Sequence, residues 1–251
     1  MRTFLILWKQ EVATYFRTPL AYVILFFFLL LMGFNFYASV DLLNHGSAQV
    51  SIVEAFFNTI FFWMSFLFLC PLLTMRLFAE EYRSGSIETL MTAPVRSMQV
   101  VLAKFLGAFF LFVMLWVPTI FYFILFWPSA HQVAAASYGS YMGAYGMLLL
   151  LGMFYLSVGC LSSVMTSHQL IAGMISFCLM VIMFFIGMTS FLHRNRSPQF
   201  RELVSFFSPM EHMTSFSRGL IDTRPIVWYM SMTAFVLFLT LQIFQSRKWR
   251  R

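Results

Sequence analysis

From position 105 to position 193 the chain contains no Asp, Glu, Lys or Arg. A soluble domain carries about 25% charged residues, because its surface must face water. A tract this long without charge has no such surface to offer. Three further windows are free of the same four residue types: 18 to 40, 55 to 75 and 225 to 246. A helix needs about 20 apolar residues to cross the hydrocarbon core of a bilayer. One charge at mid-span costs roughly 2.5–3.5 kcal/mol. The windows therefore mark membrane spans. Composition points the same way, with 61% hydrophobic and only 10% charged residues.

The long tract must be divided. Trp127-Pro128 opens a polar-leaning stretch through Ser129, His131, Gln132, Ser137 and Ser140, and Thr166-Ser167-His168-Gln169 forms a second break. The predicted spans are about 20–40, 56–77, 104–127, 141–165, 169–192 and 226–246. The expected fold is an all-α integral membrane protein, one transmembrane domain over 1–251. Pro71 and Pro118 fall inside spans, where neighbours can satisfy the carbonyls a proline frees. Each is a kink, or a hinge in a moving helix.

Residues 1–17 lack the apolar core and small-residue site of a cleavable signal peptide. They read as an interfacial helix. Phe4, Leu5, Trp8, Val12, Tyr15 and Phe16 share one face, and Lys9, Gln10, Thr14 and Arg17 the other, while Ile6 and Leu7 fit imperfectly. The basic residues set the orientation. With the N-terminus inside, Arg2, Lys9, Arg17, Arg76, Arg83, Arg96, Lys104, Arg247, Lys248, Arg250 and Arg251 are cytoplasmic. Arg194, Arg196, Arg201, Arg218 and Arg224 are outside, in one loop that also carries Glu202, Glu211 and Asp222. Both termini are expected in the cytoplasm. The net charge of +7 thus sits mostly at span ends, against anionic lipid, and calls for no nucleic acid.

An engine of its own is not visible in this chain. The sequence has no GxxxxGK[ST] phosphate loop and no GxSxG elbow. Apart from Arg76 and Lys104 at span ends, the spans hold no charged residue of the kind a proton relay uses. His131, His168 and His193 fall at loops or span ends. Cys70, Cys160 and Cys178 lie in apolar stretches, suggest packing residues, and form no metal-binding spacing. The expectation is a chain with no catalytic, cofactor or metal site.

One dense polar segment stands out between the second and third spans, over 80–94. Glu80, Glu81 and Arg83 precede Gly85, which permits a sharp bend. Ser86 can cap a new short helix, with Glu88 favourable in its first turn and Thr89 beside it. Ile87, Leu90 and Met91 then share a side, and Pro94 ends the helix. Two turns are poorly stable alone. They suit a docking knob for a partner protein, or an ordinary solvated turn. The second notable segment is the outer loop before the last span. Two amphipathic pieces broken at Ser208-Pro209 are expected to dip into the membrane over 199–222 and return, with Glu211, Arg218 and Asp222 pairing or capping them.

The stretches Leu73 to Glu81, Gly85 to Leu90 and Thr92 to Val95, with Lys104, Thr18 to Tyr22, Pro209 to His212 and Arg218 to Arg224, resemble the permease subunits of type-2 ABC exporters. Among these the chain looks most like the gliding-motility-associated branch. The motif between spans two and three is fairly specific, and the hydrophobic remainder is not. Ser86 departs from the pattern, since relatives often carry Thr there, yet it still caps a helix.

The resemblance implies six spans after an interfacial elbow helix, a coupling helix over 80–92 and a re-entrant outer segment over 199–222. It implies a permease that pairs with a second copy or a related permease. Each permease would bind a separate ABC-type ATPase subunit, which holds the ATP and Mg. The expected location is the bacterial cytoplasmic membrane. Two readings that need no ATPase stand beside it. A secondary transporter or channel would use polar groups such as Asn35, Asn58, Ser65, Thr119, Ser157 and Ser176. A membrane anchor would use Gly139, Gly143, Gly146, Gly152 and Gly159 for close helix packing, as any of these proteins would.

Overall fold

The structure is a computed structural model that describes residues 2–45, 50–86, 96–126, 137–192 and 207–249. Among these residues there are only helices, turns and short connections. The helices are α1 (Arg2–Arg17), α2 (Pro19–His45), α3 (Ile52–Asn58), α4 (Ile60–Thr74), α5 (Ala79–Ser84), α6 (Ser97–Phe126), α7 (Tyr138–Met165), α8 (Gln169–Leu192), α9 (Pro209–Ser217) and α10 (Thr223–Trp249). Six stretches are long and apolar enough to span a membrane: Ala21–Asn44, Ile60–Ser84, Ser97–Leu125, Tyr138–Met165, Gln169–Met188 and Thr223–Arg247. The chain is a multi-pass membrane protein.

Helix α7 is the axis of the bundle. Its span is 78% buried inside the protein, against 22% for α8 and for α10. It packs on α3, α4, α5, α6, α8, α9 and α10. Small residues make this possible, because they let neighbouring helices approach closely without a side chain between them. A Cβ on Gly143 would stand 2.4 Å from the Phe216 carbonyl oxygen, and one on Gly152 would stand 2.3 Å from Phe112. One on Gly159 would come within 2.1 Å of Thr74 Oγ1. Ser157, Ser162 and Ser163 are buried between them. Gly146 differs, since a Cβ there meets nothing within 4 Å. Helices α2, α8 and α10 form the rim. They turn out apolar side chains such as Phe26, Phe27, Met174, Phe185, Val227 and Phe238.

The second span is not the single helix over 56–77 that its composition predicts. It is divided twice. Thr59 is extended (φ −72°, ψ 149°), which separates α3 from α4. Here Asn58 Nδ2 donates to the Glu54 carbonyl and Thr59 Oγ1 to the Ala55 carbonyl, so polar side chains close the end of α3. The second division comes after Thr74, where residues 75–78 form a turn before α5 begins. Pro71 lies inside α4, three residues before its end, whereas α6 continues past Pro118 to Phe126.

Helix α1 packs chiefly on α6 and less on α2. Its buried stripe overlaps the predicted apolar face in part: Trp8, Tyr15 and Phe16 pack inward, Leu7 joins them and Leu5 does not. Trp8 meets Phe110 edge to face, with ring centroids 5.6 Å apart. Leu5 and Ile6 are exposed. The physical reason lies in Glu11. It sits over Gly107, where a Cβ would be 3.1 Å from its own, and it faces into the bundle to meet a lysine.

Candidate functional site

The break between α4 and α5 strips the backbone of helical partners, and two other helices supply them. The Leu77 N–H turns to the Thr74 carbonyl, which frees the Leu73 carbonyl. Tyr15 of α1 donates its hydroxyl to that oxygen at 2.9 Å. Burial, and then the negative charge of Glu11, push the Tyr15 hydroxyl well above its usual pKa, so it stays a donor. At the start of α5, Phe78 is the capping residue and has no side-chain acceptor to offer. Ser163 of α7 takes that role. Its Oγ accepts from the Phe78 N–H at 3.0 Å and the Ala79 N–H at 3.2 Å. Replacing Ser163 with Ala leaves both donors buried and unmet, at about 1–3 kcal/mol each. The expected result is a lower unfolding temperature for Ser163→Ala in detergent, with Ser162→Ala as a milder comparison, since Ser162 bonds only within its own helix.

A buried charge cluster lies beside this break. Lys104 of α6 is 2% exposed. Its Nζ bonds Glu11 Oε1 of α1 at 2.7 Å and Glu81 Oε1 of α5 at 2.6 Å. It also stands 5.6 Å from the centre of the Phe78 ring. One lysine thus ties α1 and α5 to the third span. From the far side, Arg247 of α10 lies 4.9 Å from the Tyr82 ring and bonds the Met165 carbonyl at the end of α7. Helix α5 is therefore held by α1, α6, α7 and α10 together.

The sequence-predicted coupling residues sit here. Glu81 is in the cluster. Glu80 and Arg83 are exposed. Gly85 has φ 74°, the left-handed region that favours glycine, and it stops α5. Ser86 Oγ lies 2.9 Å from Ser84 Oγ. Glu88, Thr89 and the short helix expected there lie outside the described residues. Sequence reasoning missed Glu11, Tyr15 and Ser163, and it placed Lys104 at a cytoplasmic edge. The usable signal was Glu11, an acid off the polar face of an interfacial helix.

The outer-segment residues gather at the opposite end, about 30 Å away along α7. Ser208 caps α9 by accepting from the Glu211 N–H at 3.4 Å, and its hydroxyl donates to the Gly187 carbonyl at 3.1 Å. Pro209 is at the first turn of α9, where a missing N–H costs nothing. The helix ends at Gly219, with φ 83°. There the Leu220 N–H meets the Ser215 carbonyl, and the Gly219 N–H that of Phe216. Arg218 reaches out of its own segment. Its Nη2 reaches Glu54 Oε1 of α3 at 2.6 Å. Thr214 Oγ1 adds a bond to Asn58 Oδ1 at 2.9 Å. Asp222 caps α10 through the Arg224 N–H at 3.1 Å. Burial holds the His212 imidazole below its usual pKa, opposed by the charge of Asp222, and its Nδ1 lies 3.3 Å from the Tyr229 hydroxyl. The first amphipathic piece, before residue 207, lies outside the described residues.

The two ends differ in build. One presents a charged helix stub stopped by glycine. The other is a tight plug of capped short helices. Comparison with protein families gives one match, to the family described as ABC-2 family transporter protein, over residues 5–246. The chain belongs to that family. This ABC-2 family protein is therefore a transmembrane permease of an ABC transporter, embedded in the membrane and implying an ABC ATPase partner. Comparison with curated proteins found no match.

Proposed function

We propose that this chain is the permease of an ABC exporter and that α5, with the segment after Gly85, is where a separate ATPase drives it. The observation that carries this reading is the buried link from Lys104 to Glu11 and Glu81. A short exposed helix can pass on movement only if its base is fixed to the helices that must move. Here the base of the stub is fixed to α1 and α6, and through Ser163 to α7. ATP, with its Mg, is bound and hydrolysed on the partner. ATP-driven closure of two ATPase subunits supplies the differential affinity that any conformational shift requires. In this reading α1 is the elbow helix, α9 belongs to the outer re-entrant segment, and both termini are cytoplasmic in a bacterial inner membrane. Two permeases pair, with α2, α4 and α8 lining the pathway by analogy. Likeness over 73–95 and 209–224 supports the gliding-motility-associated branch.

The test is co-purification. Proline cannot adopt the φ of 74° found at Gly85. Gly85→Pro, and the pair Glu80→Lys with Glu81→Lys, are each expected to cut recovery of the ATPase with the permease about tenfold, or to leave hydrolysis that the permease no longer alters. Normal recovery together with normal permease-dependent hydrolysis in both would remove α5 from the coupling path.

A further inference from the structure

A cavity of about 220 Å³ opens between α1, the start of α2, the α4–α5 break and α6. Its lining changes character with depth. On the α4–α5 segment, Leu72 and Leu73 lie farther into the bundle than Arg76, Glu80 and Glu81. On α6, Leu111 lies deeper than Lys104, and on α2, Ile24 lies deeper than Thr18. The mouth is charged and the floor is apolar, at one end of a membrane bundle. That is the profile of an amphipathic molecule standing parallel to the helices.

The mouth also contains chemistry that the described residues leave unused. The Lys104 ammonium takes one oxygen of Glu81, and the other, Oε2, is buried without a partner. Arg76 Nε is buried without an acceptor. Buried polar atoms left unmet are costly, and both residues line the cavity, so an occupant that complements their charges is favoured. Arg76 needs an anionic acceptor, and a phosphate oxygen is the fitting one for a guanidinium. Glu81 Oε2 needs an N–H donor, and Glu80 at the same mouth favours a positive charge. A primary ammonium carries three N–H donors. A quaternary ammonium carries none.

We propose that this cavity binds the headgroup of a zwitterionic phospholipid with a primary amine, of the ethanolamine class, its phosphate on Arg76 and its ammonium between Glu80 and Glu81. The acyl chains run past Ile24, Leu72 and Leu111. A bound lipid of this kind fills the junction between the elbow helix and α5. It then stabilises the state in which the two are joined.

Native mass spectrometry of the full-length protein, in mild detergent with added lipid, tests this. Phosphatidylethanolamine is expected to be retained about tenfold better than phosphatidylcholine or phosphatidylglycerol. Arg76→Gln is expected to remove most of that retention. Glu80→Lys is expected to turn the preference toward phosphatidylglycerol, a change that misfolding does not produce. Ala21→Phe, which crowds the apolar floor, is expected to lower retention of all three. Equal retention of the ethanolamine and choline lipids, or an unchanged preference in both Arg76→Gln and Glu80→Lys, overturns the proposal. A second arm separates a resident lipid from a transported one. In vesicles with the ATPase, ATP-dependent movement of a headgroup-labelled ethanolamine lipid between leaflets marks cargo. A raised unfolding temperature without movement marks a resident lipid. Either outcome keeps the site, and loss of the site leaves the ATPase-coupling reading standing on its own tests.

Discussion

Lys104→Met is expected to destabilise the protein by about 3–5 kcal/mol, the usual consequence of removing one partner from a buried ion pair. The lysine side chain is 3% exposed, and both of its acids are about three-quarters buried. Methionine fills most of the space but leaves Glu11 and Glu81 with no counter-charge. They must then repel each other, draw in water or take up a proton. A second substitution distinguishes charge from shape. The triple variant Lys104→Met, Glu11→Gln, Glu81→Gln is expected to regain most of the loss, because a buried ion pair replaced as a whole is often nearly neutral. Thermal unfolding in detergent reads both. A single variant within about 1 kcal/mol of the parent would mean that the cluster is solvated and holds nothing together.

Gly159→Leu is expected to prevent α4 and α7 from packing. Even the first carbon of a side chain at this position would stand 2.1 Å from Thr74 Oγ1 and 2.7 Å from Thr74 Cβ. Thr74 is buried, and its hydroxyl is engaged with the Cys70 carbonyl at 2.8 Å. Turning it aside would break that bond and would not move its Cβ, so the helices must separate. Overpacking of a close contact costs about 1–3 kcal/mol, and here it also pulls Ser163 away from the start of α5, one turn farther along α7. The expected result is loss of a monodisperse protein and of bound ATPase. Gly159→Ala paired with Thr74→Gly is expected to recover much of both. Gly146→Ala is the control, because its Cβ meets nothing within 4 Å.

The six spans were readable because bilayer thickness imposes a length and a charge rule on each. The breaks within the second span were not. Residues 75–78 are Met, Arg, Leu and Phe, and nothing local in them ends a helix. The turn exists because Tyr15 and Ser163, from α1 and α7, take up the backbone groups it frees. That is tertiary information. Lys104 was visible only as a lysine at the edge of an apolar window, where snorkelling toward water is the ordinary expectation. Its burial depends on two acids far away in sequence. Arg218 was expected to pair or cap within the outer segment; the partner the structure gives it, Glu54, precedes the second span and could not be read locally. Gly85 was readable, since a glycine after a charged helix end is a local stop signal that needs no distant partner.

Labelling from one side of the membrane at Ser86, the exposed residue just past the Gly85 bend, tests the central claim most directly. Cys178 is the one exposed native cysteine, with Cys70 and Cys160 buried, so Cys178→Ser provides a quiet background. Ser86→Cys in that background is expected to react with a membrane-impermeant maleimide only from the cytoplasmic side, and to be shielded when the ATPase is bound. Reaction from the outer side, or labelling that the ATPase leaves unchanged, would contradict the assignment of this end as the docking site.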